Sequence, residues 1–197
     1  DGVDIDEWLK KNPNNFVALT VAATKLINDE EWKRAEQVLN KLVELYPDYT
    51  GADNANLMLA SIYRELNDPK KERAVLERHA SISADALSVG LRLLELDQAA
   101  NDWKAVFRNS RRVLAVNPLL PQPHRALARA AEELGKSDEA IGAYRKLLAM
   151  DPEDPAEVHY RLAQLLQKQD PDTAKKHVLL ALEAAPRFRA AHRLLLQ

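Results

Sequence analysis

The chain has 197 residues, 46% of them apolar and 29% charged, with only five glycines. A composition rich in Ala, Leu, Glu, Lys and Arg favours helix throughout. Lysine plus arginine total 28 against 30 aspartates and glutamates, a balance that gives no global attraction to nucleic acid or to an anionic membrane. The absence of cysteine excludes disulfides, thiolate nucleophiles and cysteine-based zinc sites together.

No apolar run approaches the roughly 18 residues of a membrane span, and no signal segment is visible, so the sequence fixes no compartment. The chain starts at Asp1, without a methionine and inside a helical pattern. That start reads as a piece taken from a longer protein.

Taken in chain order, the elements are set by proline spacing. Residues 1–13 read as the second helix of an upstream unit, closed by Pro13. Pro47 follows 34 residues later and closes a unit over 16–49. Ala84 stands where the next proline would fall, but 37 residues on, so three extra residues sit near Thr50, Gly51 and Ala52 as a loop insertion. Pro118, Pro152 and Pro186 then recur every 34 residues. The units are therefore 53–86, 87–120, 121–154 and 155–187, with 188–197 as a partial or capping helix.

Within the units, small residues recur at Ala23, Ala60, Ala128 and Ala163, with Leu94 as the exception. A second set falls at Ala35, Ala140 and Ala174, with Glu72 and Val106 as departures. Asn67, Asn101 and Gly135 lie 34 apart; Asn and Gly accept the left-handed conformation that ends a helix, so they mark the turn inside each hairpin. Trp32 and Trp103 start second helices, and Asp68-Pro69 and Asp170-Pro171 read as an N-cap followed by a first-turn proline. Leu57, Ala60, Ile62 and Tyr63 form one apolar stripe; Val38, Leu39, Leu42 and Leu45 form another.

A 34-residue unit with small residues on both helices and a closing proline resembles the tetratricopeptide repeat. The best match is 121–154, with Leu127-Ala128, Gly135, Ala140, Tyr144, Leu147 and Pro152 in register. The third unit departs, with Leu94, Val106 and Ser110 where the family prefers small, small and aromatic residues. The resemblance implies an all-α fold, an α–α superhelix in which hairpins stack as a right-handed solenoid. It also implies a non-enzymatic scaffold for protein–protein interaction, the repeat region of a larger bacterial protein.

Candidate chemistry is sparse. His124, His159 and His192 recur early in first helices, at spacings of 35 and 33. Successive helices lie about 10 Å apart, too far for ligands that must each reach about 2.1 Å from one zinc, so these histidines read as packing residues. No metal-binding His-Glu-x-x-His and no phosphate-binding glycine loop is present. Asp29-Glu30-Glu31 and Asp138-Glu139 fall at starts of second helices, where they favour the helix dipole. No catalytic residue, metal or cofactor is expected.

By resemblance, first helices line a concave groove. Its N-terminal part holds Val17, Thr20, Thr24, Asn54, Leu57, Ser61 and Arg64. Its C-terminal part holds Leu91, Arg92, Glu95, Gln122, Arg125, Arg129, Tyr160, Arg161 and Gln164, with Arg193 beside them. The expected partner site is Arg92, Arg125, Arg129, Tyr160, Arg161 and Gln164. Arginine forks bind carboxylates bidentately, and a tyrosine is a frequent anchor, so the partner is a protein or peptide with acidic or C-terminal carboxylate groups. Glu132 and Glu133, three and four residues after Arg129, could neutralise that arginine within its own helix. Family members that hold chaperone tails use Lys and Asn where this chain has Thr20 and Thr24, so that activity is not expected. The alternatives are self-association, as a homodimer through terminal helices with Leu194, Leu195 and Leu196 uncovered, and single-stranded RNA binding, which the balanced charge opposes.

Overall fold

A computed structural model describes residues 5–83 and 86–196; Ala84, where a proline is expected, lies outside them. Twelve α-helices account for the ordered elements among these residues. They are α1 (Ile5–Lys11), α2 (Phe16–Asn28), α3 (Trp32–Leu45), α4 (Ala55–Glu65), α5 (Pro69–Ile82) and α6 (Leu87–Ala99), then α7 (Trp103–Val116), α8 (Pro121–Glu133), α9 (Ser137–Leu148), α10 (Pro155–Leu166), α11 (Pro171–Ala184) and α12 (Arg189–Leu195). The chain divides into two units between Val89 and Gly90.

In the first unit α2 packs on α3, α3 on α4 and α4 on α5. Of the expected stripes, Leu39 and Leu42, and Ala60, Ile62 and Tyr63, are buried, Val38 and Leu57 are half-buried, and Leu45 is exposed. In the second unit α7 packs on α8, α8 on α9, α9 on α10, α10 on α11 and α11 on α12.

The small-residue positions sit where helices cross. Ala23, Ala35, Ala128, Ala140 and Ala163 are each 0% exposed. A larger side chain there would hold the backbones apart. The three departures, Glu72, Leu94 and Val106, are accommodated in two ways. Glu72 is buried on α5 and accepts from Arg64 Nε of α4 at 3.1 Å, so the carboxylate is paired rather than stranded. Leu94 and Val106 are both fully buried and pack with Ala126 and Ala130 of α8. The close approach of α6 and α7 has moved one helical turn, to Gly90, where a Cβ would stand 2.8 Å from Val113 Cγ2. Gly90 and Leu94 are four residues apart and share a helix face.

Four hairpin turns share one geometry. Glu30, Asn67, Asn101 and Gly135 have φ of 59°, 51°, 53° and 68°. The following residue donates its N–H back to the fifth residue before it, Glu31 to Leu26, Asp68 to Tyr63, Asp102 to Asp97 and Lys136 to Ala131, at 2.8–3.0 Å. This is the Schellman closure, which satisfies carbonyls at the helix end. Glu30 is the member the sequence hides, because glutamate carries no signal for a left-handed turn.

The acidic residues before α3 also differ from expectation. Asp29 is the C-cap of α2 and meets Lys25 at 3.1 Å, while Glu31 sits at the N-cap of α3 without a side-chain cap. No acid lies in the first turn of α3, whereas Asp138 and Glu139 do lie in that of α9. Asp68, Asp102 and Asp170 cap α5, α7 and α11 through their carboxylates.

The segment between α3 and α4, where the insertion falls, folds against its own unit. Phe16 packs edge-on to Tyr46 and tilted on Tyr49, with ring centroids 5.1 and 4.7 Å apart. Asn54, expected in the groove, is 2% exposed and instead caps α4, accepting from Asn56 N at 2.8 Å.

Gly90→Ala should lower stability by about 1–3 kcal/mol through overpacking, whereas Glu30→Gly should raise it by about 1 kcal/mol by relieving a side chain at positive φ. Denaturant melts followed by circular dichroism check both, and equal midpoints for Gly90→Ala and the parent would remove the displaced-crossing account.

Candidate functional site

The second unit holds a cavity of about 260 Å³ opened by three successive first helices and closed by one second helix. Gln98 comes from α6; Arg125, Arg129, Glu132 and Glu133 from α8; Glu157 and Arg161 from α10; and Tyr144 from α9. Helical spacing explains the clustering, because Arg125, Arg129 and Glu132 lie on one side of α8 at steps of four and three.

Of the six expected site residues, the cavity unites Arg125, Arg129 and Arg161. Arg92, Tyr160 and Gln164 do not line it. Arg92 donates to Glu95 at 2.8 Å within α6. Tyr160 packs tilted on Phe188 with centroids 5.0 Å apart, and Gln164 Nε2 donates to the Tyr160 hydroxyl at 3.0 Å.

The cavity arginines are not bare. Arg125 donates both terminal nitrogens to Asp154, one at 2.8 Å, in a bidentate pair. Arg161 donates Nε to Glu157 at 2.7 Å and lies 3.7 Å from Glu132. Arg129 is the exception: among the described residues it has no carboxylate partner, and neither Glu132 nor Glu133 neutralises it. Its guanidinium lies over the Trp103 ring, 5.2 Å from the centroid, a cation–π placement.

Glu132 is the deepest acid of the cavity. Burial pushes its carboxyl above the ordinary range, while the Tyr144 hydroxyl donating to it and the charge of Arg161 pull it back. Burial, and after it Glu132, holds the Tyr144 phenol above its usual value. The arginines follow from their helix positions in the sequence, whereas Tyr144 and Glu132 as lining residues do not, because a tyrosine in mid-helix and a glutamate in the last turn of the preceding helix carry no signal distinct from ordinary packing.

The recurring histidines have two roles. His124 and His192 each place Nε2 2.9 Å from a proline carbonyl six residues earlier, Pro118 and Pro186. They tie a first helix to the loop that precedes it; His124 is buried, and His192 is exposed rather than packed between helices. His159 stands seven residues after Pro152 and instead pairs with His177 of α11, Nδ1 to Nδ1 at 2.9 Å. Groups of three or more metal-ligating side chains are absent among the described residues. At the C-terminal end, Leu194 and Leu195 are half-buried against the cluster of Ala163, Val178, Ala181 and Ala191, and Leu196 is exposed. Two of the three leucines expected to be uncovered are thus packed on the chain itself. No described helix is long and apolar enough to cross a membrane.

Comparison with known proteins agrees with this architecture. Residues 121–165 match the tetratricopeptide repeat model, overlapping the unit with the fullest sequence pattern. No curated protein matches in sequence. Among solved structures, the chain is similar to YrrB, described as a TPR protein with an unusual peptide-binding site, at 16% identity and TM-score 0.62, with 96% of each chain covered. It is similar to MamA from Desulfovibrio magneticus RS-1 at 15% identity and TM-score 0.54, covering 88% of this chain and 97% of that one. It is also similar to a chain of Naa15/Naa10 bound to HypK-THB at 14% identity and TM-score 0.74, covering 97% of this chain and 30% of that one. The fold class is all-α, that of the α–α superhelices.

Burial holds the imidazoles of His79, His159 and His177 below their ordinary value, with His159 and Arg145 adding to the effect at His177. A lowered folded value means that the unfolded chain takes up protons first. The stability these neutral rings contribute is therefore complete above about pH 6.5 and is lost as the pH falls through the lower folded values. The unfolding temperature should drop between pH 7.5 and 5.5, and the drop should be shallower in a His159→Gln/His177→Gln variant. Parallel pH profiles for the two proteins would contradict this assignment.

Proposed function

The chain carries the tetratricopeptide-repeat fold, and from that premise we propose that it is a non-enzymatic scaffold that binds a carboxylate-bearing segment of a partner protein along its first helices. On this reading the repeat units are those of the proline spacing, 16–49, 53–86, 87–120, 121–154 and 155–187, flanked by partial units. The observation that carries the reading is the cavity gathering Arg125, Arg129 and Arg161 from two first helices. The description of YrrB as having a peptide-binding site supports a peptide as the class of ligand.

Arg129 is the primary contact. It is exposed, lacks a carboxylate partner among the described residues and is held over Trp103, so a carboxylate can meet its free edge without first breaking an ion pair. Arg125 and Arg161 join by exchanging Asp154 or Glu157, pairs that are about half exposed. Exposed pairs of this kind are worth about 0–1 kcal/mol each, so the exchange is shallow. The carboxylates that remain, Glu132 and Glu133, disfavour a ligand of high negative charge density. A segment with one carboxylate and main-chain N–H donors suits the mixed lining better than a polyanion does, which also argues against RNA.

Selection of a random peptide library on the immobilised chain should enrich segments with one or two Asp, Glu or free C-terminal carboxylates. Arg129→Ala should weaken the selected peptides by at least about tenfold, roughly 1.4 kcal/mol, and the parent chain should change its Trp103 emission as Arg129 leaves the ring. Selected peptides without carboxylates, or affinities untouched by a combined Arg125→Ala/Arg129→Ala/Arg161→Ala variant that keeps its helical spectrum, would refute the proposal.

A further inference from the structure

His124 has one nitrogen that the fold does not use. Nε2 lies 2.9 Å from the Pro118 carbonyl, which can only accept, so Nε2 carries the proton. In the neutral ring Nδ1 is then a lone-pair acceptor. It is buried without a hydrogen-bond partner, on a residue only 3% exposed. Native proteins rarely leave such an atom unsatisfied.

The same histidine lines a crevice of about 420 Å³ between α7 and α9, together with Phe107, Arg111, Leu127, Gly142 and Lys146. Glycine inside a helix costs about 1 kcal/mol relative to alanine, and α9 gains nothing in packing from it. Apart from its chain neighbours and the backbone of its own helix, nothing lies within 4 Å of the place where a Cβ on Gly142 would stand. This contrasts with Gly90, which the fold requires. The room at Gly142 is open to something outside the chain.

The rim is basic and partly aromatic. Arg111 Cζ and Lys136 Nζ lie 5.8 and 5.3 Å from the centroid of the half-buried Phe107 ring. Exposed Lys146 stands on the α9 side. The carboxylate in the lining, Glu139, meets Lys136 at 3.6 Å, leaving Arg111 and Lys146 to an incoming anion.

We propose that this crevice is a second peptide site, which takes an extended segment of a partner protein carrying an apolar side chain beside an acidic one. The segment's backbone passes over Gly142 beside His124, and one main-chain N–H reaches Nδ1 as the segment displaces the side chains that cover that nitrogen. The apolar side chain packs on Phe107 and Leu127, and the carboxylate meets Arg111 and Lys146. The site is separate from the arginine cavity, because His124 and Leu127 occupy a different side of α8 from Arg125, Arg129 and Glu132, about a third of a turn round the helix.

The test is a titration of the 15N-labelled chain with the capped peptide acetyl-Asp-Leu-Asp-amide, followed by amide chemical shifts. Saturable shifts are expected at Phe107, Arg111, Leu127, Gly142 and Lys146, with none at these residues for acetyl-Lys-Leu-Lys-amide. Gly142→Leu should melt no lower than the parent, because the position is open and leucine is the better helix former, yet weaken these shifts by at least about tenfold. Arg111→Glu/Lys146→Glu, a surface change, should do the same and serves if Gly142→Leu misfolds. Arg129→Ala should leave them unchanged, so the two sites succeed or fail independently. No saturable shift at these amides, equal response to the lysine peptide, or undiminished binding by a folded Gly142→Leu would each overturn the second site.

Discussion

The constraint on which the rest depends is the distance between helix backbones at their crossing points. Each hairpin can bury its apolar stripe only if its two helices, and the next hairpin, come within about 8–10 Å. At that distance a crossing accepts hydrogen or methyl and little more. Ala128 and Ala140 meet this requirement in the most regular unit, and the third unit shows that the requirement belongs to the crossing rather than to a position. Leu94 fills the usual place of the small residue, Gly90 supplies the close approach one turn earlier, and α8 accommodates the displaced bulk with Ala126 and Ala130. A sequence pattern sees a lost small residue there; the packing has kept it and moved it.

The same regularity decides what the surface can do. Residues four apart share a helix face, so a first helix that needs its crossing face for alanines has its outer face left for long polar side chains. On α8 those are Arg125 and Arg129 followed by Glu132 and Glu133, on α10 Glu157 and Arg161, and they pair within and between helices, Arg161 with Glu157 and Glu132, while Arg125 pairs with Asp154. Exposed pairs hold such side chains in place at little net gain. The cavity therefore presents both signs of charge, and of its three arginines only Arg129, over Trp103, has no carboxylate partner among the described residues.

How much of this was legible in the sequence follows from which signals are local. Proline and small-residue spacing gave the helices, and Asn67, Asn101 and Gly135 gave their turns, because each of these residues has its own backbone preference. Glu30 adopts the same turn without any such preference; it is held by the Schellman bonds of its neighbours, which are a property of the hairpin. The arginines were legible as a set, since position on a helix face follows from counting. Their partners were not. Whether Arg92 meets Glu95 or a ligand, and whether Tyr160 is an anchor or packs on Phe188, depends on distances between helices that no periodicity encodes. The histidines make the same point: one extra residue between Pro152 and His159, compared with Pro118 and His124, redirects the ring from a loop carbonyl to His177.

Helix α8 carries both surfaces proposed for partners, and the composition of its core implies that they act independently. Its buried side is Pro123, His124 and the alanines 126, 128, 130 and 131. Coupling between two sites requires an element with two arrangements of comparable free energy that each ligand biases differently. Alanine and proline have no side-chain rotamers to exchange, and a core packed with them has no alternative packing within reach. The arginine side and the His124 side of α8 are therefore joined by a stiff rod. Occupying one would position the other without altering its affinity, and a scaffold built this way would add partners rather than switch between them.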